Sequence, residues 1–299
     1  MRDPRLSLSI ALAVLALSAA PVRAQPASPP AAPAAATDAF ALFPLKPGPG
    51  DRHPAPGVDV QDVSFGAEPA GAFTGEVVFG AGAGPHPGIL FVHWLGDAKT
   101  TNHTEFEAEA VELAKRGVTS LLVDAMWAKP GWFDSLGKSE DADQRVTKQQ
   151  LRQLDLALVA LQTVPNLDPK RIAYVGHDFG SMMGALIAGT DRRPSWYVLM
   201  AGVPTLSQWY LLTKPAPPTG YAAALDQAFD LPGSLAQSKA KGFLFQFASH
   251  DEFVSAKDAA AFSGAAHGAT VIFYDTDHAL AVPKAQADRD AWLEAKLAP

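Results

Sequence analysis

The strongest constraint on this chain is an alternation of continuous apolar runs with helix-spaced segments. The runs are "GILFVH" (88–93), "VTSLLVD" (118–124), "RIAYVG" (171–176), "WYVLMAG" (196–202), "GFLFQFAS" (242–249) and "ATVIFYD" (269–275). Strands this uniformly apolar are expected where a sheet is covered on both faces. Between them, Thr101 to Arg116 has helical spacing, with Phe106, Ala110 and Leu113 on one side and Gly117 as its stop. Residues 141–163 carry Val146, Leu151, Leu154, Leu158 and Leu161 at helical intervals. Further helices are expected from Gly180 to Gly189, around 256–266, and from about Lys284 to Leu297. Ahead of these, "VDVQDVSF" (58–65) and the alternating Phe73–Phe79 pair as half-buried strands. The pattern predicts an α/β fold, a mostly parallel central sheet with helices on both faces.

Residues 203–240 break the rhythm, with Pro, Gly, Tyr and Trp at weak periodicity. An insertion of this length after a strand is expected to be functional, a short cap or lid over the strands' carboxyl ends. Open α/β sheets bind their ligands at those ends.

The N-terminus belongs to none of this. A positively charged start, the apolar run "LSLSIALAVLALSAA" and small residues before Ala24 form a cleavable signal peptide over residues 1–24. The run ends at Ala20, shorter than the ~20 residues a membrane anchor requires. Residues 25–39 are Pro/Ala-rich and read as a disordered tether, which leaves 40–299 as the folded domain. The expected location is periplasmic or secreted, with no stable membrane anchor after signal cleavage.

There is no cysteine, which removes thiol catalysis and cysteine-ligated metals. The formal charge is −7; losing Arg2, Arg5, Arg23 and Asp3 with the leader removes a net +2 and leaves −9. An acidic chain without basic patches is a poor ligand for nucleic acid or anionic membrane and leaves small molecules as its expected partners. Neither a cofactor nor a metal is called for. His250-Asp251-Glu252 are adjacent residues, which rarely converge on one ion.

The stretch "YVGHDFGSMMG" (174–184) places a strand before, and a small-residue helix after, the pattern G-x-D-x-G. So tight a turn requires Gly176 and Gly180 beside it and holds the Asp178 side chain out at a helix N-terminus, where amides and dipole favour negative charge. Asp251 follows the strand at 242–249, and His278 follows the strand at 269–275. All three stand at carboxyl ends of strands.

With these residues the chain resembles the α/β-hydrolase superfamily over nearly all of 40–299. That family orders its triad nucleophile, acid, histidine. The resemblance assigns Asp178 as nucleophile, His278 as base and Asp251 as its orienting acid; Glu252, Asp275 and Asp277 are rival acids near the histidine. "HWLG" (93–96) resembles the family's oxyanion loop and implies that an amide of Trp94 or Leu95 works with that of Phe179. "GHDFG" is similar to the elbow of epoxide hydrolases and some dehalogenases. The leading strands and short cap look like the dienelactone-hydrolase branch. Expected pocket residues are His93 in the oxyanion loop, Tyr210 and Tyr221 as cap proton donors, and Trp127 and Trp132. The last two, with Phe133, read equally as core.

An aspartate is already ionised at neutral pH, and the elbow amides are expected to keep it so. It suits attack on sp³ carbon, and His278 would then direct water at the resulting ester. The expected activity is a cofactor-independent hydrolase for a small ester, lactone, epoxide or halide. The alternative is a binding protein that keeps the fold without chemistry. Ser181, one helical step into the turn, is a less well-aimed nucleophile, and His177 is expected to pack behind the elbow.

Overall fold

The apolar runs become neighbours in one sheet. A computed structural model of the chain describes residues 46–47, 51–65, 73–96, 101–214 and 217–299. These lie in one unit spanning Asp38–Pro299. The proposed leader (1–24) and tether (25–39) lie outside the described residues.

The strands are β1 (Lys46–Pro47), β2 (Arg52–Ala55), β3 (Val58–Phe65), β4 (Phe73–Val78), β5 (His86–Val92), β6 (Thr119–Val123), β7 (Leu167–His177), β8 (Pro194–Met200), β9 (Gly242–Ala248) and β10 (Ala269–Tyr274). Their order is β1-β3-β4-β6-β5-β7-β8-β9-β10, with β2 beside β3. From β6 to β10 every pairing is parallel, and the leading strands join antiparallel. A mostly parallel sheet follows because helical crossovers return each strand to the same end.

The crossovers are α1 (Glu107–Lys115), the short α2 (Trp132–Ser135), α3 (Glu140–Gln162), α4 (Phe179–Thr190), α5 (Leu206–Tyr210), α6 (Tyr221–Ala228), α7 (Leu231–Gln237), α8 (Ala256–Ser263) and α9 (Pro283–Leu297). The helix expected from Thr101 starts later. Asn102 caps a 3₁₀ turn over His103–Phe106 by accepting from the Thr104 amide, and α1 continues from it. Ser139 caps α3, and Glu140, Asp141 and Asp143 fill its first turn, where the helix dipole favours carboxylates.

One buried polar network crosses the core. Arg289 on α9 grips both carboxylate oxygens of Glu109 on α1 and donates to Gln246 Oε1 on β9 at 2.8 Å. Pairing at both ends is what lets a guanidinium and a carboxylate stay out of water. The last apolar run departs from its expected cover on both faces. As β10 it is the sheet edge, and Val271 and Phe273 are 42% and 49% exposed.

The register sets the site. Val92, Gly176 and Leu199 lie side by side across β5, β7 and β8, and Ala248 faces Tyr274 across β9 and β10. The chain therefore leaves these strands at one edge of the sheet, carrying residues 93–95, 178, 251 and 278 to the same side. The 203–240 insertion divides in two. Residues 206–228 hold buried Trp209, Tyr210, Tyr221 and Leu225, whereas α7 packs on the elbow helix. A Cβ on Gly189 of α4 would come within 2.8 Å of the Ser234 Cβ.

Candidate active site

Asp178 sits between β7 and α4 at φ 54°, ψ −111°, a backbone region that side-chain-bearing residues rarely occupy. Two contacts hold it there. The Asp178 amide donates to Met200 O at 2.9 Å, and Tyr174 on β7 donates through its hydroxyl to Gly180 O at 2.7 Å. The two glycines allow the approach: a Cβ on Gly176 would lie 2.3 Å from Gly180 O, and one on Gly180 would lie 2.2 Å from Val92 O. The elbow is thus wedged against the end of β5, which also carries the 93–96 loop.

That loop meets the aspartate directly. The Leu95 amide donates to Asp178 Oδ2 at 3.0 Å, and Oδ1 is buried without a partner among the described residues. The Trp94 amide, an equal candidate from sequence, is taken: it donates to Glu105 Oε2 at 2.8 Å. Phe179 is the first residue of α4, so its amide has no acceptor within the helix.

The carboxyl of Asp178 does not keep the low value that the elbow amides suggested from sequence. Burial pushes its carboxyl up to about 7, more than the electrostatic pull of His278 and the Leu95 hydrogen bond draw it down, with Glu105 and Asp251 adding to the rise. The elbow supplies an amide, but full burial outweighs it.

His278 and Asp251 form a close pair, with Nδ1 at 3.0 and 2.9 Å from the two carboxylate oxygens. Nδ1–H donates, which leaves Nε2 as the lone-pair nitrogen; Nε2 is buried without a partner among the described residues. Asp251 also accepts from the amides of Phe253 and Val254. Burial opposes its charge, but His278 and these amides outweigh it and hold the carboxyl below its ordinary value. The rival acids fall away: Asp275 binds His250, and Glu252 and Asp277 are exposed. Ser181 is buried on the far side of the turn, its Oγ 2.6 Å from where a Cβ on Gly202 would stand.

Several expected pocket residues have other work. His93 is fully engaged: its Nε2 accepts from the Ala125 amide at 3.0 Å, so Nδ1 carries the proton and donates to Trp94 O at 2.7 Å. Burial lowers its affinity for a second proton. The ring braces the oxyanion loop and is not a pocket wall. Trp127 is core, its indole donating to His93 O at 3.1 Å. Tyr210 hydrogen-bonds Thr147 at 2.7 Å, and Tyr221 donates to Asp143 Oδ2 at 2.5 Å. Burial raises both phenols well above their ordinary value. These hydroxyls tie the insertion to α3 and are not free as proton donors.

The aromatic wall is built differently. The Phe179 ring lies 5.5 Å from Trp132, 6.0 Å from Trp209 and 5.9 Å from Tyr210. Trp209 is 5.5 Å from His278, and Phe253, 42% exposed, stands edge-on to that histidine at 5.1 Å. Among the described residues, the indole nitrogens of Trp132 and Trp209 are both buried without a partner. Trp209, Phe253 and Glu105 were missed from sequence; Trp209 lies in the insertion and Phe253 two residues past Asp251, but nothing local marks Glu105.

No protein-family model matches the sequence, and comparison with curated proteins gives no match. Solved structures do match. An acetyl xylan esterase from Paenibacillus sp. R4 is 17% identical, with 86% of this chain and 90% of that one covered at a TM-score of 0.68. Acetyl xylan esterase 1 from Thermoanaerobacterium sp. JW/SL YS485 is 12% identical, covering 86% and 88% at 0.67. A cold-adapted esterase from an Arctic intertidal metagenomic library is 16% identical, covering 85% and 100% at 0.61. Strand order, the turn at Asp178 and these likenesses agree: the chain has the α/β-hydrolase fold.

Proposed function

We propose that this chain is a cofactor-independent hydrolase in which Asp178 is the nucleophile, His278 the base and Asp251 its orienting partner. The observation that carries this reading is the division of labour between the two oxygens of Asp178. Oδ2 already occupies the Leu95 amide, and Oδ1 has no partner among the described residues. In a serine-type hydrolase that amide waits for the carbonyl oxygen of the substrate; here the enzyme's own carboxylate fills it. The arrangement suits a substrate that brings no carbonyl, and favours an sp³ electrophile, an organic halide or an epoxide.

Oδ1 attacks the carbon, and the carbon–halogen or carbon–oxygen bond breaks with its electrons leaving on the halide or ring oxygen. The unpartnered indole N–H groups of Trp132 and Trp209 supply buried donors in the same aromatic cluster. The product of this step is an alkyl ester of Asp178 whose carbonyl oxygen is Oδ2. His278 Nε2 then takes a proton from water, hydroxide adds to the Asp178 carboxyl carbon, and Leu95 holds the oxyanion that forms on Oδ2. Collapse breaks the bond between that carbon and Oδ1, and the alcohol leaves with the proton His278 returns. The second proton of the water, left on the new carboxyl of Asp178, is released to solvent when the leaving group was halide, or balances the proton taken by the ring oxygen of an epoxide, and the carboxylate is restored. Export by the leader, a place near the dienelactone-hydrolase branch and small molecules as partners belong to the same proposal.

The likeness to esterases favours a second reading, hydrolysis of an ester or lactone. A single-turnover reaction in ¹⁸O-water with haloalkanes, epoxides and nitrophenyl esters separates them. Nucleophilic Asp178 puts the label into the peptide containing Asp178 and leaves the first alcohol unlabelled. Label in the product alone overturns the covalent route. Silence across the panel from folded protein favours the binding protein without chemistry.

A further inference from the structure

Behind His278 lies a second acid–histidine pair that the reaction above does not use. His177 is fully buried, with Nδ1 2.7 Å from Glu105 Oε1 and Nε2 3.0 Å from the carbonyl oxygen of His278. A carbonyl oxygen only accepts, so the proton in the second contact is on Nε2. A neutral imidazole has one N–H, and it is now spent. The 2.7 Å contact to Glu105 therefore requires another proton between Nδ1 and Oε1.

Glu105 Oε2 accepts from the Trp94 amide at 2.8 Å, which leaves Oε1 for the histidine. What places the proton on the ring is the aromatic face beside it. The Trp94 indole lies parallel to the His177 ring, 5.3 Å away and tilted by 4°, presenting the negative face that attracts a cation. The charged and titratable groups around the pair are Glu105 itself, the His278 ring at 5.6 Å, and Asp178 next in sequence. Glu105 also acts electrostatically on His93 and on Arg289 of the core network.

We infer that His177 and Glu105 form a buried imidazolium–carboxylate pair that braces the three loops of the site against one another. Glu105 holds the oxyanion loop at Trp94, His177 belongs to the elbow strand, and its Nε2–H fixes the backbone of His278. The pair is a positioning device: neither residue meets the reacting atoms, but together they set where the Leu95 amide and the His278 ring stand relative to Asp178. The kinetic consequence rests on the proposed Asp178 chemistry; the protonation state does not.

The test uses the full chain with ¹⁵N-labelled histidine, as wild type, Glu105→Gln and Glu105→Ala. The wild-type His177 ring is expected to show two protonated nitrogens. In Glu105→Gln the amide can accept from Trp94 and donate to Nδ1, so His177 should show one protonated and one lone-pair nitrogen. A neutral His177 ring in the wild type overturns the inference, and so does an unchanged doubly protonated ring in Glu105→Gln. With styrene oxide as probe, Glu105→Ala should lower kcat about 10²-fold, the scale of a small misplacement of reacting groups. Glu105→Gln should restore most of that loss with little change in KM. Equal losses in both variants, with both folded, overturn the positioning role. Absence of styrene oxide turnover in the wild type counts against the Asp178 reaction and leaves the resonances to decide the pair.

Discussion

The amide of Leu95 stands 3.0 Å from Oδ2 of Asp178, joining two loops 83 positions apart in the chain. This contact ties the 93–96 loop to the elbow before any substrate arrives, and it assigns different tasks to the two oxygens of one carboxylate. It also makes Leu95 informative as a backbone position and not as a side chain. Leu95→Ala should leave turnover near wild type. Leu95→Pro removes the donor and should lower the rate of ester hydrolysis about 10²- to 10³-fold, with the alkyl-enzyme accumulating. Intact-mass spectrometry during turnover reads that accumulation directly.

The raised carboxyl of Asp178 sets the pH dependence of activity. Attack requires the carboxylate, so kcat/KM should climb as pH rises through about 7 and flatten above it. A profile already flat from pH 5 upward would show that the carboxylate is ionised despite its burial.

The same group links pH to stability. Its folded-state value of about 7 lies above the ordinary 3.8, so between these limits the folded chain binds more protons than the unfolded one. Stability therefore falls as pH rises through that window, by about 4 kcal/mol for this group alone. Asp178→Asn removes this pH dependence while keeping an acceptor for Leu95. It should be more stable than wild type at pH 8, with the advantage vanishing near pH 4. Urea unfolding at the two pH values measures the difference.

Gly180 is the tightest point of the elbow. Gly180→Ala would drive its Cβ to 2.2 Å from Val92 O, and the obstacle is backbone that cannot rotate away. A cost of about 3 kcal/mol or more is expected, at the upper end of overpacking effects. Denaturant unfolding of Gly180→Ala beside Gly82→Ala, whose Cβ meets nothing within 4 Å but whose φ is +87°, separates packing from backbone strain.

The Arg289–Glu109 pair holds α9 against α1. Arg289→Ala leaves the buried Glu109 carboxylate without its cation and Gln246 Oε1 without its donor, and should cost about 3–5 kcal/mol. Replacing both partners with apolar residues, Arg289→Met with Glu109→Leu, should recover much of that loss. The comparison distinguishes an uncompensated buried charge from lost volume.

Much of this architecture is legible in one dimension. The strand "VDVQDVSF" occupies Val58–Phe65 as its alternation implies, and the long helix expected at 141–163 is found at Glu140–Gln162. Local periodicity and capping dictate such elements, because they follow from which faces a segment must bury. The Gly176 and Gly180 spacing likewise announces a turn that nothing larger than hydrogen fits. What the sequence alone determined was therefore the order of elements, the elbow, and Asp178, Asp251 and His278 at the ends of strands. The tertiary structure decided what each polar atom meets. His93, Tyr210 and Tyr221 proved to be braces because their partners, Ala125, Thr147 and Asp143, lie far away in sequence. Glu105 reached the site for the same reason. The affinity of Asp178 for its proton was also out of reach, since it balances burial against an amide 83 residues distant, and desolvation is a property of the folded volume and not of neighbours along the chain.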